Sequence, residues 1–377
     1  MESFDNLQLN DALLKGVYLY GFTKPSTIQL KGIEIINSKK DCIIQSQSGT
    51  GKTAMYLLGV LNNILINNKL IIFIPTRELA IQVYDVALQL SKYINCNIVK
   101  CIGGININDT RNSISNASLI IGTVGRIFHM ISEKRININK ISTIVFDEAD
   151  ELLLYRHTNT HTNIKELIQS IIKKPQLILI SATMTLDVFN FSKQYMHSPE
   201  QILINNENVV VDLISQFYLD VEIEEQKYDT LLDLYNMIST FQTIIFCNTI
   251  NKVNWLNDQL TTNNFTTIIL HADMDQLERN TILENFRNGI TRILITTDLL
   301  SRGIDIPHVN LVINYDIPIN KEIYVHRIGR CGRFDKKGIA ITLIKSKDCY
   351  DMKCLNKLKQ YYKINITEMP PDISIYV

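Results

Sequence analysis

Three groups of residues have the types and spacing to handle a nucleoside triphosphate. The first, Ser46-Gln47-Ser48-Gly49-Thr50-Gly51-Lys52-Thr53, follows an apolar run at 41–45 and leads into a stretch of helical character from Ala54. In that strand–loop–helix setting Gly49 and Gly51 let backbone N–H groups converge on a β-phosphate. Lys52 brings a cation to the β- and γ-phosphates, and Thr53 offers a hydroxyl to Mg²⁺. Ser46 stands where the loop pattern asks for a small residue. The second group, Asp147-Glu148-Ala149-Asp150, ends the apolar run 144–146, so its first carboxylates leave the C-terminal edge of a strand, where open α/β sheets bind ligands. Asp147 is expected to hold Mg²⁺, and Glu148 to orient or deprotonate the attacking water. The third, His326-Arg327-Ile328-Gly329-Arg330-Cys331-Gly332-Arg333, sets three arginines and a histidine around two glycines. Arg330 and Arg333 suit the charge on a transferring phosphoryl group, so ATP with Mg²⁺ is expected, hydrolysed when the two halves of the chain close.

The elements that must position these groups follow one rhythm twice. Short Ile-, Val- and Phe-rich runs recur at 41–46, 70–74, 98–102, 118–122, 142–146 and 177–180. A second series falls at 215–220, 243–247, 267–270, 291–296, 310–314 and 339–344, with helical segments such as 249–262 and 275–288 between. Strands alternating with helices predict an α/β fold with two parallel sheets. Periodicity lapses around 205–214, the expected linker. The expected domains are 1–30, a segment that reads the base; 31–204, which binds ATP; and 215–377.

Composition narrows the function. Lys+Arg and Asp+Glu are both 38 in 377 residues, so no global field draws the chain to a polyanion and a nucleic-acid site must be local. The acidic start at Glu2 and Asp5 does not read as a signal peptide. The apolar stretch 56–75 is broken by Asn62, Asn63, Asn67, Asn68 and Lys69, which excludes a membrane span. Seven cysteines without a C-x-x-C pair fit a reducing compartment.

Further motifs run the length of the chain: 21–29 with Gln29, 75–80, Gly103-Gly104, 123–126, Ser181-Ala182-Thr183, 245–249, 276–279, 296–305 and 326–333. In this ordered set the sequence resembles the DEAD-box ATP-dependent RNA helicases of superfamily 2, and within them the translation-initiation branch. The resemblance implies two RecA-like domains in tandem. It assigns Gln29 and Phe22, with Phe4 nearby, to the adenine, Gln47 and Ser48 to the phosphate loop, and Asp305 to the ribose. Ser181, Thr183 and His326 would couple hydrolysis to RNA. Pro75, Thr76, Arg77, Gly103, Gly104, Thr123, Gly125 and Arg126 in the first half, with Gln276, Arg279 and Thr296 in the second, would hold RNA. Glycines, helix termini and arginines suit a sugar–phosphate backbone, so binding should ignore sequence. A cytoplasmic monomer is implied, an RNA-stimulated ATPase that locally unwinds duplexes on an initiation-factor scaffold. The same residues would also serve an ATP-gated RNA clamp of splicing or decay.

Several positions depart from the family pattern. Val124 replaces a proline, which is expected to loosen its turn, Thr185 stands where proline is common, Ser301 replaces alanine, and 152–161 lacks the usual character. His157 and His161 read as part of a polar surface loop, Trp255 as core packing, and Cys349 and Cys354 as ordinary buried thiols.

Overall fold

The computed structural model describes residues 3–46, 49–64, 68–104, 107–154, 158–203, 214–238, 242–300, 306, 309–332, 337–347 and 349–371. The chain divides into two compact units, one formed by residues 1–46 and 50–204, the other by residues 205–377. The expected linker lies outside the described residues except for Ile214, which opens a strand.

The first unit holds β1 Cys42–Gln45, β2 Lys69–Ile74, β3 Ile98–Cys101, β4 Leu119–Thr123, β5 Ile141–Phe146, β6 Gln176–Ser181 and β7 Glu200–Ile202. The second holds β8 Ile214–Asp220, β9 Thr243–Phe246, β10 Thr267–Leu270, β11 Ile293–Thr296, β12 Leu311–Asn314, β13 Gly338–Ile344 and β14 Thr367–Glu368. Each forms a seven-stranded parallel sheet, in the orders β3-β4-β2-β5-β6-β1-β7 and β10-β11-β9-β12-β13-β8-β14. Adding seven to each label of the first order gives the second. In β1, β2, β6 and β13 every residue is buried, which means both faces are covered, and this is why these strands are continuous apolar runs instead of alternating ones.

The edge strands β7 and β14 carry no such signal. They are three and two residues long, contain Glu200 and Glu368, and form by backbone pairing to β1 and β8. Lys69 opens β2 with its ammonium folded under the carbonyls of Ile114, Ser115 and Ala117, at 3.3, 2.8 and 2.9 Å, capping the helix Ile107–Ile114.

Four expectations need correction. Val124 does not loosen its turn: it is the first residue of the helix Val124–Ser132 and packs in the core of the first unit, so burial replaces the fixed φ of proline. His161 lies in the helix Thr158–Ser170, not in a loop, while His157 falls outside the described residues. Trp255 is 46% exposed and meets Tyr228 in a T-shaped contact at 5.9 Å, because it faces away from the apolar stripe Val253, Leu256 and Leu260 of its helix. Cys349 is exposed and Cys354 half-buried, since α-helical spacing turns Leu355 and Leu358 inward instead.

Candidate functional site

The phosphate-loop helix, Lys52–Asn62, begins at the end of the loop that follows β1. Its N-cap Gly51 has φ +90°, and a Cβ there would lie 2.5 Å from Gln29 Nε2, so both the turn and the close approach require glycine. Gln29 sits in a capping box: Ser26 N–H donates to Gln29 Oε1 at 2.9 Å, and Ser26 Oγ accepts from Gln29 N–H at 3.4 Å. The same amide donates from Nε2 to Gly51 O at 3.3 Å, while Ser26 Oγ donates to Thr50 O at 3.0 Å. The base-reading segment is thereby pinned to the loop, with one N–H and one oxygen lone pair of Gln29 left for an adenine edge. In the same sequence segment the Phe22 ring lies 6.2 Å from Phe4 and 4.7 Å from Tyr20.

Ser46 participates in the loop. Its hydroxyl pairs with the Thr50 hydroxyl at 2.6 Å, its carbonyl accepts from Lys52 Nζ at 2.7 Å, and its N–H donates to Ser181 O at 3.1 Å. Gly49 has φ +80°, and Gln47 and Ser48 lie outside the described residues.

Asp147 leaves β5 and is buried; Oδ2 accepts from Tyr56 O–H at 2.8 Å and Oδ1 from Glu148 N–H at 3.0 Å. Burial first, then the charge of Glu148, push the Asp147 carboxyl up to about 7. Tyr56 also hydrogen-bonds Thr53, so its hydroxyl links the two residues expected to hold a metal. Two adjacent buried acids with this linked hydroxyl fit a divalent cation, which would supply the positive charge that burial makes costly to lack. Glu148 has φ +51°, uncommon for a residue with a Cβ, and this left-handed turn ends the strand and caps the short helix Ala149–Leu152. Asp150 receives Ser181 Oγ and Thr183 Oγ1, both at 2.8 Å, so the last acid of the motif grips the two hydroxyls expected to couple hydrolysis to RNA.

The residues expected to hold RNA collect at another stretch of the same sheet edge, beyond β2, β4 and β3. Thr76 caps the helix Arg77–Leu90 after β2, its hydroxyl accepting from Leu79 N–H at 3.3 Å, with Pro75 before it. Thr123 ends β4 in register with Ile74 and precedes Gly125 and Arg126 in the next helix. Gly103 and Gly104 follow β3; a Cβ on Gly103 would lie 2.7 Å from Arg77 Nη2, so glycine there makes room for the guanidinium. Two helix N-termini and two arginines converge on three neighbouring strands, an arrangement suited to phosphates.

In the second unit Thr296 ends β11 and its hydroxyl donates to Leu270 O at 2.7 Å, at the end of β10. Gln276 opens the helix Gln276–Arg287, and its Oε1 accepts from Arg279 Nη2 at 2.6 Å. The RNA-candidate positions thus occupy corresponding strands of both sheets. His326 lies in the helix Lys321–Ile328, and Arg330 Nε donates to its carbonyl at 3.1 Å. Arg333 and Asp305 lie outside the described residues.

Sequence reasoning missed Tyr56 and the work of Arg327. Arg327 is fully buried and donates to Asp298 Oδ1 at 2.6 Å, Asn248 Oδ1 at 2.7 Å and Asp316 O at 2.8 Å. It ties together three of the motif segments read from the sequence, and its place within 326–333 was the only signal. No helix among the described residues is long and apolar enough to cross a membrane.

Comparison with known proteins agrees with this geometry. The DEAD/DEAH box helicase family profile matches residues 26–191, and the helicase conserved C-terminal domain profile matches 226–335. Eukaryotic initiation factor 4A of Caenorhabditis elegans is 42% identical over 378 residues, covering 99% of this chain and 92% of its own. The ATP-dependent RNA helicase eIF4A of Candida glabrata is 42% identical over 373 residues, with coverages of 98% and 93%. Among solved structures, S. cerevisiae Dbp5 bound to RNA and ADP BeF3 matches with TM-score 0.91 and 34% identity, covering 98% of this chain and 96% of that one. With its two parallel sheets, ATP motifs and whole-length similarity, the chain belongs to the DEAD-box family of ATP-dependent RNA helicases.

Proposed function

We propose that this helicase is an initiation factor of the 4A type: a cytoplasmic, RNA-stimulated ATPase that opens short RNA duplexes during translation initiation, guided by a scaffold protein. Identity of 42% across 99% of the chain to an initiation factor 4A supports the pathway. The observation that carries the chemistry is the division of one sheet edge, with Lys52, Asp147 and Glu148 at β1 and β5, and the RNA candidates at β2, β4 and β3. Residues 31–204 and 215–377 are the working domains.

In this reading Gln29 and Phe22 take the adenine, and residues 46–53 cradle the phosphates with Lys52 as their cation. Asp305 takes the ribose, and Arg330 and Arg333 meet the γ-phosphate. Thr53 and Asp147 would hold Mg²⁺, which when bound neutralises phosphate charge. Glu148 orients the attacking water and accepts its proton. Ser181 and Thr183, held by Asp150, report on the RNA side, with His326 as their counterpart in the second unit.

ATP turnover measured with and without a single-stranded RNA, alongside displacement of a short RNA duplex, tests the proposal. RNA should raise turnover several-fold, with ATP-dependent strand release. Turnover indifferent to RNA would sink it, and a long-lived ATP-dependent RNA complex without strand release would make the protein a clamp.

A further inference from the structure

The first unit has a concave feature at the edge of its sheet opposite the phosphate loop, where strands begin. The cavity, about 820 Å³, is lined by the turn before β1, the segment between the helix Thr158–Ser170 and β6, and the end of the helix Leu186–Tyr195. Because β1 runs from this edge to the phosphate loop, the cavity is separated from the ATP candidates by the length of the strand.

Its walls combine two properties. Ile171, Pro175 and Leu177 are buried, and Ile172 is 85% exposed, the most exposed of the large apolar side chains among the described residues. Around them stand Lys39, Lys40, Lys174 and His197, with Lys173 adjacent in sequence; two Lys-Lys pairs from distant parts of the chain meet at one opening. The anionic groups nearby are already engaged. Asp41 accepts from the backbone N–H groups of Leu177 at 2.8 Å and His197 at 2.7 Å, and Glu200 pairs with Lys40 at 2.6 Å. Lys39 and Lys174 form no ion pair among the described residues, so in a chain of zero net charge this opening is locally cationic.

We infer that this cavity is a docking surface for an acidic segment of a partner protein, which seats an apolar side chain against Ile171, Ile172 and Pro175 and lays carboxylates beside Lys39 and Lys174. Charge complementarity selects an acidic occupant. The apolar floor favours a peptide over RNA, whose phosphates leave Ile172 without a partner. Seated at the far end of the strands, such a segment leaves ATP and the RNA-candidate edge uncovered and can tether the helicase while it works.

A phage library of random twelve-residue peptides, selected on the full chain with counter-selection on a Lys39→Glu/Lys174→Glu chain, tests the inference. Enriched peptides should carry bulky apolar residues flanked by Asp or Glu. Made synthetically, they should lose affinity about ten-fold on the charge-reversed chain and on Ile172→Asp, and weaken as salt rises. RNA-stimulated ATPase should be unchanged in these variants, which also shows that they fold. Absence of peptides preferring the native chain, enrichment of basic or purely apolar peptides, or loss of U12 RNA binding in the charge-reversed chain would overturn it, the last by making the surface one for nucleic acid.

Discussion

Lys52 is the first residue of the helix that follows β1, and Lys227 is the first residue of the helix that follows β8, the strand in β1's place in the second sheet. Their acidic counterparts also correspond. Asp147 follows β5 and its N–H donates to Phe73 O at 3.0 Å; Asp316 follows β12 and its N–H donates to Phe246 O at 3.3 Å. From there the two units diverge. In the first, two glycines shape the loop, Lys52 reaches the Ser46 carbonyl, and a tyrosine holds Asp147. In the second, residues 221–226 contain three glutamates and no glycine, and Lys227 closes directly onto Asp316 at 3.0 Å, only 2% exposed. Glu224, Lys252 and Lys345 extend that network, with Lys252 at 2.8 Å from Asp316. The same two positions are the proposed ligand site in one sheet and a buried ion pair in the other. In the second unit the lysine closes on the acid, whereas in the first the lysine bonds a loop carbonyl and the acid accepts from a tyrosine hydroxyl.

Breaking the closed pair should have the largest effect. Asp316→Ala leaves Lys227 buried beside a lost charge and should cost about 3–5 kcal/mol in urea unfolding of the full chain; a midpoint within error of wild type would show that the pair is incidental. Glu148→Gln should lower RNA-stimulated ATP turnover by about a hundred-fold or more, the usual reach of a general base, without moving the unfolding midpoint. A variant that keeps more than a tenth of the turnover would remove Glu148 from the chemistry.

Acid should separate the units next. Burial opposes ionisation of Asp316, but the charge of Lys227, the Asn248 N–H and Lys252 together outweigh it and hold the carboxyl below the ordinary aspartate value of 3.8. A depressed pKa gives stability that is present above the ordinary value and lost as pH falls through the lowered one. The stability gap between wild type and Asp316→Asn should therefore be flat at neutral pH and shrink only below pH 3.8; a gap that shrinks already near pH 6 would contradict this assignment. Tyr56→Phe should have the smallest effect, lowering turnover by about five-fold, roughly the worth of one buried hydrogen bond. Raised Mg²⁺ should recover part of that loss if Tyr56 positions Asp147. A Mg²⁺-independent loss would leave the tyrosine a packing role only.

The sequence exposes the phosphate-loop site better than the Lys227–Asp316 pair, for a physical reason. A phosphate loop must combine glycine, lysine and a hydroxyl in consecutive residues, and the acids must end an apolar run, so both patterns are local. The pair Lys227 and Asp316 is 89 residues apart and joins two ordinary charged residues, which no spacing reveals. Tyr56 is hidden differently. It sits on the helix Lys52–Asn62, where every residue from Ala54 to Leu61 is buried, and there its ring reads as one more apolar position. The six longer strands of each sheet are legible as Ile-, Val- and Phe-rich runs, unbroken where both faces are buried as in β1, β2, β6 and β13, whereas β7 and β14 depend on backbone pairing at an edge. Trp255 misleads because an aromatic beside Val253 and Leu256 suggests core, and only the helical phase shows which way it points.

The most direct test is urea unfolding of the nucleotide-free full chain, comparing wild type, Lys52→Ala and Lys227→Ala under one set of conditions. Removing Lys227, which closes on Asp316, should cost about 3–5 kcal/mol, while removing Lys52, which bonds the Ser46 carbonyl and is proposed to meet a phosphate, should cost less, about 1–2 kcal/mol. Equal losses in the two variants, or a larger loss for Lys52→Ala, would contradict the division of labour between the two sheets.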